Sequence, residues 1–268
     1  MFLTRTRIVS LVLLANLQAV LAQDRLEQWL PGPVIPLQAK LHHVQGIDVE
    51  AGYLWVSSID AKAKKGYLSR FELKSGRLLA QVEVQEGRRI HPGGICLDED
   101  SIWLPVAEYT RHGSTSIERR NKRTLQRIDA FNVDDHIGCV AAGPHGLVGG
   151  DWDSRILYHW LRDGKEVSRT PNPRETAYQD LKIVNGKLMA SGGISRDKGA
   201  IEWLDLNSYA LLRRVTAGKT GRGTPYTNEG MAFRDGTLYL LPEDDPSRLF
   251  TLSENSGLAS DADPAFGR

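Results

Sequence analysis

Gln45-Gly46-Ile47, then Tyr53-Leu54-Trp55-Val56, then the run from Tyr67 to Leu73 closed by Ser75-Gly76, form three short apolar segments separated by turn residues. Segments like the first recur as Gly93-Gly94-Ile95, Ile137-Gly138-Cys139, Gln179-Asp180-Leu181 and Glu229-Gly230-Met231, at spacings of 48, 44, 42 and 50 residues. A second apolar segment follows each one: Ile102 to Val106, Gly146 to Val148, Lys187 to Ala190 and Thr237 to Leu241. A third appears at Arg155 to Trp160, Ala200 to Leu204 and Arg248 to Leu252. Asp163-Gly164, Asn185-Gly186 and Asp235-Gly236 fall between segments and are the residue pairs of tight hairpins.

A unit of roughly 40 to 50 residues with three or four short strands is the signature of a propeller blade. One such sheet leaves two apolar faces bare, and similar sheets set around an axis cover both. The expectation is therefore an all-β chain forming a single β-propeller of five blades; six would require splitting a unit. The fifth unit has little strand-like sequence after Leu252, whereas the stretch from Glu27 to Leu37 is strand-like and otherwise unassigned. That N-terminal strand is expected to close the ring, giving a propeller over 23–253 and a polar tail over 254–268.

The 268 residues are 41% hydrophobic and 25% charged, which excludes a disordered chain and a membrane bundle. With 26 Gly and 12 Pro against 7% aromatics, the chain is turn-rich for a helical protein. The net charge of +1 gives no broad footprint for nucleic acid. Arg5 and Arg7, an apolar run from Ile8 to Leu21 and small residues ending at Ala22 have the layout of a secretory signal peptide over 1–22. Its removal takes away two arginines and no acid, so the charge becomes −1. No later segment is apolar enough to span a bilayer, and the expected product is a secreted or periplasmic monomer.

In a blade, the start of the first strand and the end of the second meet at one face. The residues opening the first strands are His43 and Gln45, His91, Asp135 and His136, Gln179 and Asp180, then Asn228 and Glu229. Those closing the second strands are Asp60, Glu108, Asp151 and Asp153, Ser195, then Glu243 and Asp244. Carboxylates and imidazoles converging on one axial mouth suit a polar ligand or a divalent cation such as calcium, and crowded like charges favour raised carboxyl pKa values. The competing reading is a mouth that holds ordered water and caps backbone groups. Ligand-binding candidates are His43, Gln45, His91, His136, Gln179, Asn228 and Glu229. Metal candidates are Asp135, Asp180 and Glu229; catalytic candidates are His91, Glu108 and His136. Neighbouring strand residues face opposite ways, so one of Asp135 and His136 is expected to enter the mouth.

Other signals read as structure. Gly218-Lys219-Thr220 resembles the end of a phosphate loop but lacks the upstream glycine and the following helix, leaving a basic loop that could border the mouth. Arg119, Arg120, Lys122 and Arg123 fit an outer strand and turn, without the aromatic interleaving of a nucleic-acid site. Trp55, Trp103 and Tyr239 occupy matching second-strand positions and read as core between blades. Cys96 and Cys139 lie one residue out of step on adjacent inner strands, so they point either towards each other, forming a disulfide, or directly away.

The stretch Gln45-Gly46-Ile47, Tyr53 to Ser58, Gly66 to Leu73 and Ser75-Gly76 resembles the opening blade of glutamine cyclotransferase-like propellers. The likeness continues into Pro92 to Ile95 and Asn228 to Met231, and implies a five-bladed secreted protein. Where that family has its catalytic glutamates, this chain has Val56 and Gly93, so the resemblance does not carry cyclisation of N-terminal glutamine with it. The chain is also similar to an uncharacterised exported β-propeller family with His-Pro-Gly-Gly and Asp-His-Ile-Gly motifs. The leading expectation is a propeller binding a small polar molecule or cation in its axial funnel. The alternatives are a metal-assisted hydrolase of the lactonase or esterase type, with His91 or Glu108 as base, and a protein-interaction platform.

Overall fold

The computed structural model describes residues 24–255. The leader expected over 1–22 lies outside them, as does the tail beyond its first two residues. Five antiparallel sheets of four strands each follow one another around an axis, with a short additional strand on one of them. Blade 1 is His43–Glu50, Tyr53–Asp60, Lys65–Glu72 and Leu78–Glu83. Blade 2 has an inner strand in two pieces, Arg89–Pro92 and Cys96–Asp98, then Ser101–Glu108, Thr115–Asn121 and Arg127–Val133. Blade 3 is Ile137–Gly143, Gly146–Asp151, Ile156–Trp160 and Glu166–Pro171, and blade 4 is Ala177–Val184, Lys187–Ser195, Lys198–Asp205 and Leu211–Ala217. Blade 5 takes Glu229–Arg234, Thr237–Pro242 and Arg248–Ser253 from the end of the chain and its outer strand, Leu30–Pro36, from the beginning. The ring is thus five-bladed and closed by the N-terminal strand, as the sequence predicts. Among the described residues no helix is long and apolar enough to cross a membrane.

Local chemistry sets the hairpins. Asn185-Gly186 and Asp235-Gly236 hold positive φ at both positions, 50° and 72° in the first and 50° and 74° in the second, the demand of a type I′ turn whose twist matches its strands. Second strands such as Tyr53–Asp60 are buried on both faces, because each is sandwiched between neighbouring blades, whereas outer strands such as Arg127–Val133 are mostly exposed.

The core divides into five apolar clusters, one in each seam between blades. Trp55 and Trp103 fall in two of these clusters, and Tyr239 packs against a third. The seam between blades 4 and 5 is clasped by the N-terminus. Asp24–Arg25 pairs in parallel with Leu211–Ala217, Leu26 and Trp29 are buried in that seam, and Arg213 stacks on Trp29 and Trp203 while pairing with Asp24 and Glu254. The cysteines are free and point apart: Cys96 belongs to the seam between blades 2 and 3, Cys139 to that between 3 and 4. The disulfide is therefore replaced by two buried thiols on opposite faces.

The inner strands touch at the axis. A Cβ on Gly46 would lie 2.4 Å from the Cα of Gly94, and one on Gly93 would lie 2.1 Å from the carbonyl of Gly138, so only glycine allows this approach. The interruption of blade 2 has the same origin: the Gly94 N–H and C=O bond to Gly138 and Val140 of blade 3 instead of continuing its own ladder. The axis therefore has two separate ends, one at the starts of the inner strands and one at their finishes.

Candidate functional site

Asp180 sits on the axis and is fully buried. A register shift between Tyr178 and Asp180 turns it inward, where it accepts hydrogen bonds from the backbone N–H of Ile47 in blade 1, Met231 in blade 5 and its own neighbour Leu181. Lys182 donates to Asp180 at 2.6 Å, to the Ile95 carbonyl of blade 2 at 2.8 Å and to the Leu181 carbonyl. Burial pushes the Asp180 carboxyl up to about 6 against the pull of Lys182. This pair knots four blades together, and its donors and acceptors are used within the fold. Asp180 therefore lacks the free lone pairs expected of a ligand at the mouth.

At the starts of the inner strands, the structure brings together His43, Glu229 and Glu243. The pairing Glu229↔Pro242 puts Glu243 one step past the ladder, and His43 reaches across the seam from blade 1. One ligating atom from each of the three lies within 4.8 Å of the others. His43 Nδ1 is 2.8 Å from Glu243 Oε1, yet the approach is not aligned as a hydrogen bond. Burial lowers the affinity of His43 for a proton, but the contact with Glu243 and the charges of Glu229 and Glu243 outweigh it and raise its pKa. Glu229 is 5% exposed, and its carboxylate makes no hydrogen bond or ion pair among the described residues. Burial, opposed by His43 and reinforced by Glu243 and Asp180, pushes its carboxyl up to about 8. Its backbone holds φ at 103°, a left-handed value that costs a non-glycine residue energy.

An aromatic wall stands beside this corner. His91, 8% exposed, stacks on Tyr109 with centroids 4.5 Å apart and planes 9° from parallel; Trp152 lies 6.4 Å beyond, and His136 is 5.3 Å away. His136 packs 4.5 Å from Trp152, and its Nδ1 donates to the carbonyls of Glu108 and Thr110, which leaves the lone pair on Nε2. His91 Nδ1 is buried without a partner. Burial, then the proximity of His136 and His43, pulls the His91 pKa down to about 3, and burial lowers that of His136. The wall therefore holds two neutral imidazoles near neutral pH.

The remaining candidates are placed elsewhere. The Asp135 carboxylate accepts from Tyr158 Oη at 2.6 Å and from the His136 N–H, while the His136 ring enters the wall, so one of that adjacent pair faces the mouth. Gln45 bonds the neighbouring Val44 carbonyl. Asn228 builds the turn before Glu229, its carbonyl accepting the Glu243 N–H, and Gln179 sits half-buried at the register shift beside Asp180. Glu108 accepts from Ser114 and pairs with Arg88, which hold its carboxyl below the usual range, the opposite of a tuned base. The 218–225 loop lies against the mouth: Thr224 donates to the Glu243 carbonyl, and Arg222 donates to those of Asp244 and Pro246. Tyr109 and Trp152 are not among the residues the sequence singles out, although they directly follow Glu108 and Asp151 after the second strands.

A five-bladed propeller with a polar, partly unsatisfied axial mouth is the class that this fold and geometry define. The chain belongs to DUF6454, a family of unknown function whose model matches residues 9–217. No curated protein matches it. Among solved structures it is similar to the glutaminyl cyclase of Myxococcus xanthus, with a TM-score of 0.64 and 16% identity over 84% of this chain and 96% of that one. It also matches the WD40 domain of Neurospora crassa Pan2, with a TM-score of 0.46 and 10% identity over 87% of this chain and 98% of that one. The first likeness is one of fold. Val56, at a position the sequence resemblance pairs with a cyclase glutamate, is buried in the seam between blades 5 and 1, and Gly93 lies at the axial contact.

Proposed function

We propose that this protein is a ligand-binding propeller whose axial mouth takes a small polar molecule between the corner of His43, Glu229 and Glu243 and the wall of His91, Tyr109, His136 and Trp152. One observation carries the reading: Glu229 is 5% exposed, makes no hydrogen bond or ion pair among the described residues, is held in a strained backbone conformation and lies close to two other polar groups. Polar groups of low exposure are almost always satisfied within a protein, and an unpaired carboxylate beside a wall of rings fits a group kept for a ligand. Tyr109, 45% exposed over the buried His91, offers a flat face for the body of such a molecule. Export and a monomeric state, drawn from the sequence, belong to the same proposal.

The test is a thermal-shift series on the chain from residue 23 onward, with EDTA present, using monosaccharides, amino acids and polyamines as probes. At least one class is expected to raise the melting temperature of the wild type and to lose that effect in Glu229→Gln and Tyr109→Ala. Shifts that persist in both variants, or a flat response to all three classes, would overturn the reading. Hydrolysis is a weaker alternative, because Glu108, one of the candidate bases, is committed to Ser114 and Arg88.

A further inference from the structure

We infer that His43, Glu229 and Glu243 form a site for one first-row divalent metal ion of the zinc class, leaving a coordination position open towards the mouth. This rests on reading the mouth as a ligand site and adds an ion as a second occupant beside the polar molecule, which binds without it. The donor set comes first. One imidazole and two carboxylates, contributed by two blades across a seam, make a three-protein-ligand set of the kind that leaves further positions to water or substrate. An imidazole among the donors favours zinc over calcium, which takes oxygen ligands.

Geometry supplies the second argument. Around an ion with bonds of about 2.0 to 2.2 Å, tetrahedral donors stand roughly 3.4 Å apart. The three groups already lie within 4.8 Å of one another, and the short His43–Glu243 contact can open because Glu243 is 44% exposed and free to swing. The third argument is independent of proximity. Glu229 makes no hydrogen bond or ion pair among the described residues, and His43 Nδ1 is buried without an aligned hydrogen bond. An ion would satisfy both groups at once, whereas Glu243 reaches only His43. Asp135 and Asp180, the other carboxylates expected to bind metal, are bonded to Tyr158 and to Lys182 with three backbone amides. The site thus regroups around Glu229.

The experiment titrates EDTA-stripped, dialysed protein with ZnCl2, MnCl2 and CaCl2 by calorimetry and measures bound metal after desalting. The expected result is one equivalent of zinc, bound more tightly than manganese and far more tightly than calcium. Glu229→Gln and His43→Ala should each weaken zinc by at least about tenfold. Glu243→Gln, at an exposed position that folding does not need, should also weaken it. Glu86→Gln, far out on the surface, should not. Cobalt(II) at the same site should give visible absorption that these three mouth variants abolish. Sub-stoichiometric zinc, or zinc binding unchanged in Glu243→Gln and Glu229→Gln, would overturn the inference. Because the polar probes are screened in EDTA, their shifts surviving while zinc fails would sink the metal site alone. Zinc binding without any probe response would sink the ligand reading alone.

Discussion

The two ends of the propeller axis use the same residue types in opposite states of satisfaction. At the finishing ends of the inner strands, a cavity of about 400 Å3 is lined by Asp48, Cys96, Lys182 and Arg234, among others. There Asp48 accepts the N–H groups of Val49 and Leu97, and Lys182 makes three hydrogen bonds. At the starting ends, Glu229 makes no hydrogen bond or ion pair among the described residues, and His43 and His91 each leave Nδ1 without an aligned hydrogen bond. That cavity therefore lies at an end where Asp48 and Lys182 are already committed within the fold. A cavity does not by itself mark a site; the state of the polar groups is what distinguishes the two ends.

The sharpest way to break this contrast is to remove a partner at the satisfied centre. Asp180→Ala leaves Lys182 as a buried, unpaired ammonium and orphans the amides of Ile47 and Met231. A loss of about 3 to 5 kcal/mol in urea-unfolding stability is expected. A loss below about 1 kcal/mol would mean that the axial knot is dispensable.

Glu229→Gln at the mouth should behave in the opposite way, with a signature in pH. The Glu229 carboxyl is raised from 4.5 to about 8, so between those values the folded protein keeps a proton that the unfolded chain has released. Stability falls as pH rises through that window and levels off above it, with a slope of up to about 1.4 kcal/mol per pH unit from this group. Urea midpoints at pH 5, 7 and 9 should show the wild type losing ground against Glu229→Gln, which is the more stable protein at pH 9. Parallel curves for the two proteins would mean that Glu229 is ionised and solvated.

How far the sequence reveals these two ends follows from what each depends on. The blades are legible because glycine-bearing turns recur at near-constant spacing, and the strand from Leu30 to Pro36 because the fifth unit is visibly short. The meeting of His43 with Glu229 and Glu243 follows from blade register, which converts sequence spacing into a common face. Asp180 does not, because a single register shift after Tyr178 rotates it from the mouth to the axis, and bulges leave little mark in a sequence. The aromatic wall was hidden for a different reason: Tyr109 and Trp152 lie in loops, outside the alternation from which strand faces are read. The cysteine parity left two outcomes, and only the assignment of each thiol to its own seam separates them.

A smaller effect should come from His91→Phe. The folded protein holds His91 neutral down to about pH 3, whereas an unfolded histidine takes a proton near 6.5. Its contribution is therefore retained above 6.5 and lost as pH falls towards 3. Phenylalanine keeps the stack on Tyr109, removes the unpartnered Nδ1 and abolishes that acid-side loss. A gain of about 1 kcal/mol at pH 7, growing at pH 5, is expected in urea unfolding. A destabilised variant would reveal a bond to His91 that matters for folding.

Tyr109→Ala should change stability least and still discriminate between causes. The ring is half exposed, so its removal is expected to cost less than about 1 kcal/mol. Yet Tyr109 is the ring stacked against His91, where burial is the largest cause of the depressed imidazole pKa, ahead of His136 and His43. Opening that face to water relieves the larger cause and leaves the smaller ones in place. The imidazole resonance of His91, followed by NMR against pH, should then titrate well above 3, moving towards the ordinary value of 6.5. If it stays near 3, the neighbouring histidines hold His91 neutral. The wall would then be an electrostatic extension of the His43 corner, and the mouth would act as one unit instead of an acid corner beside an apolar face.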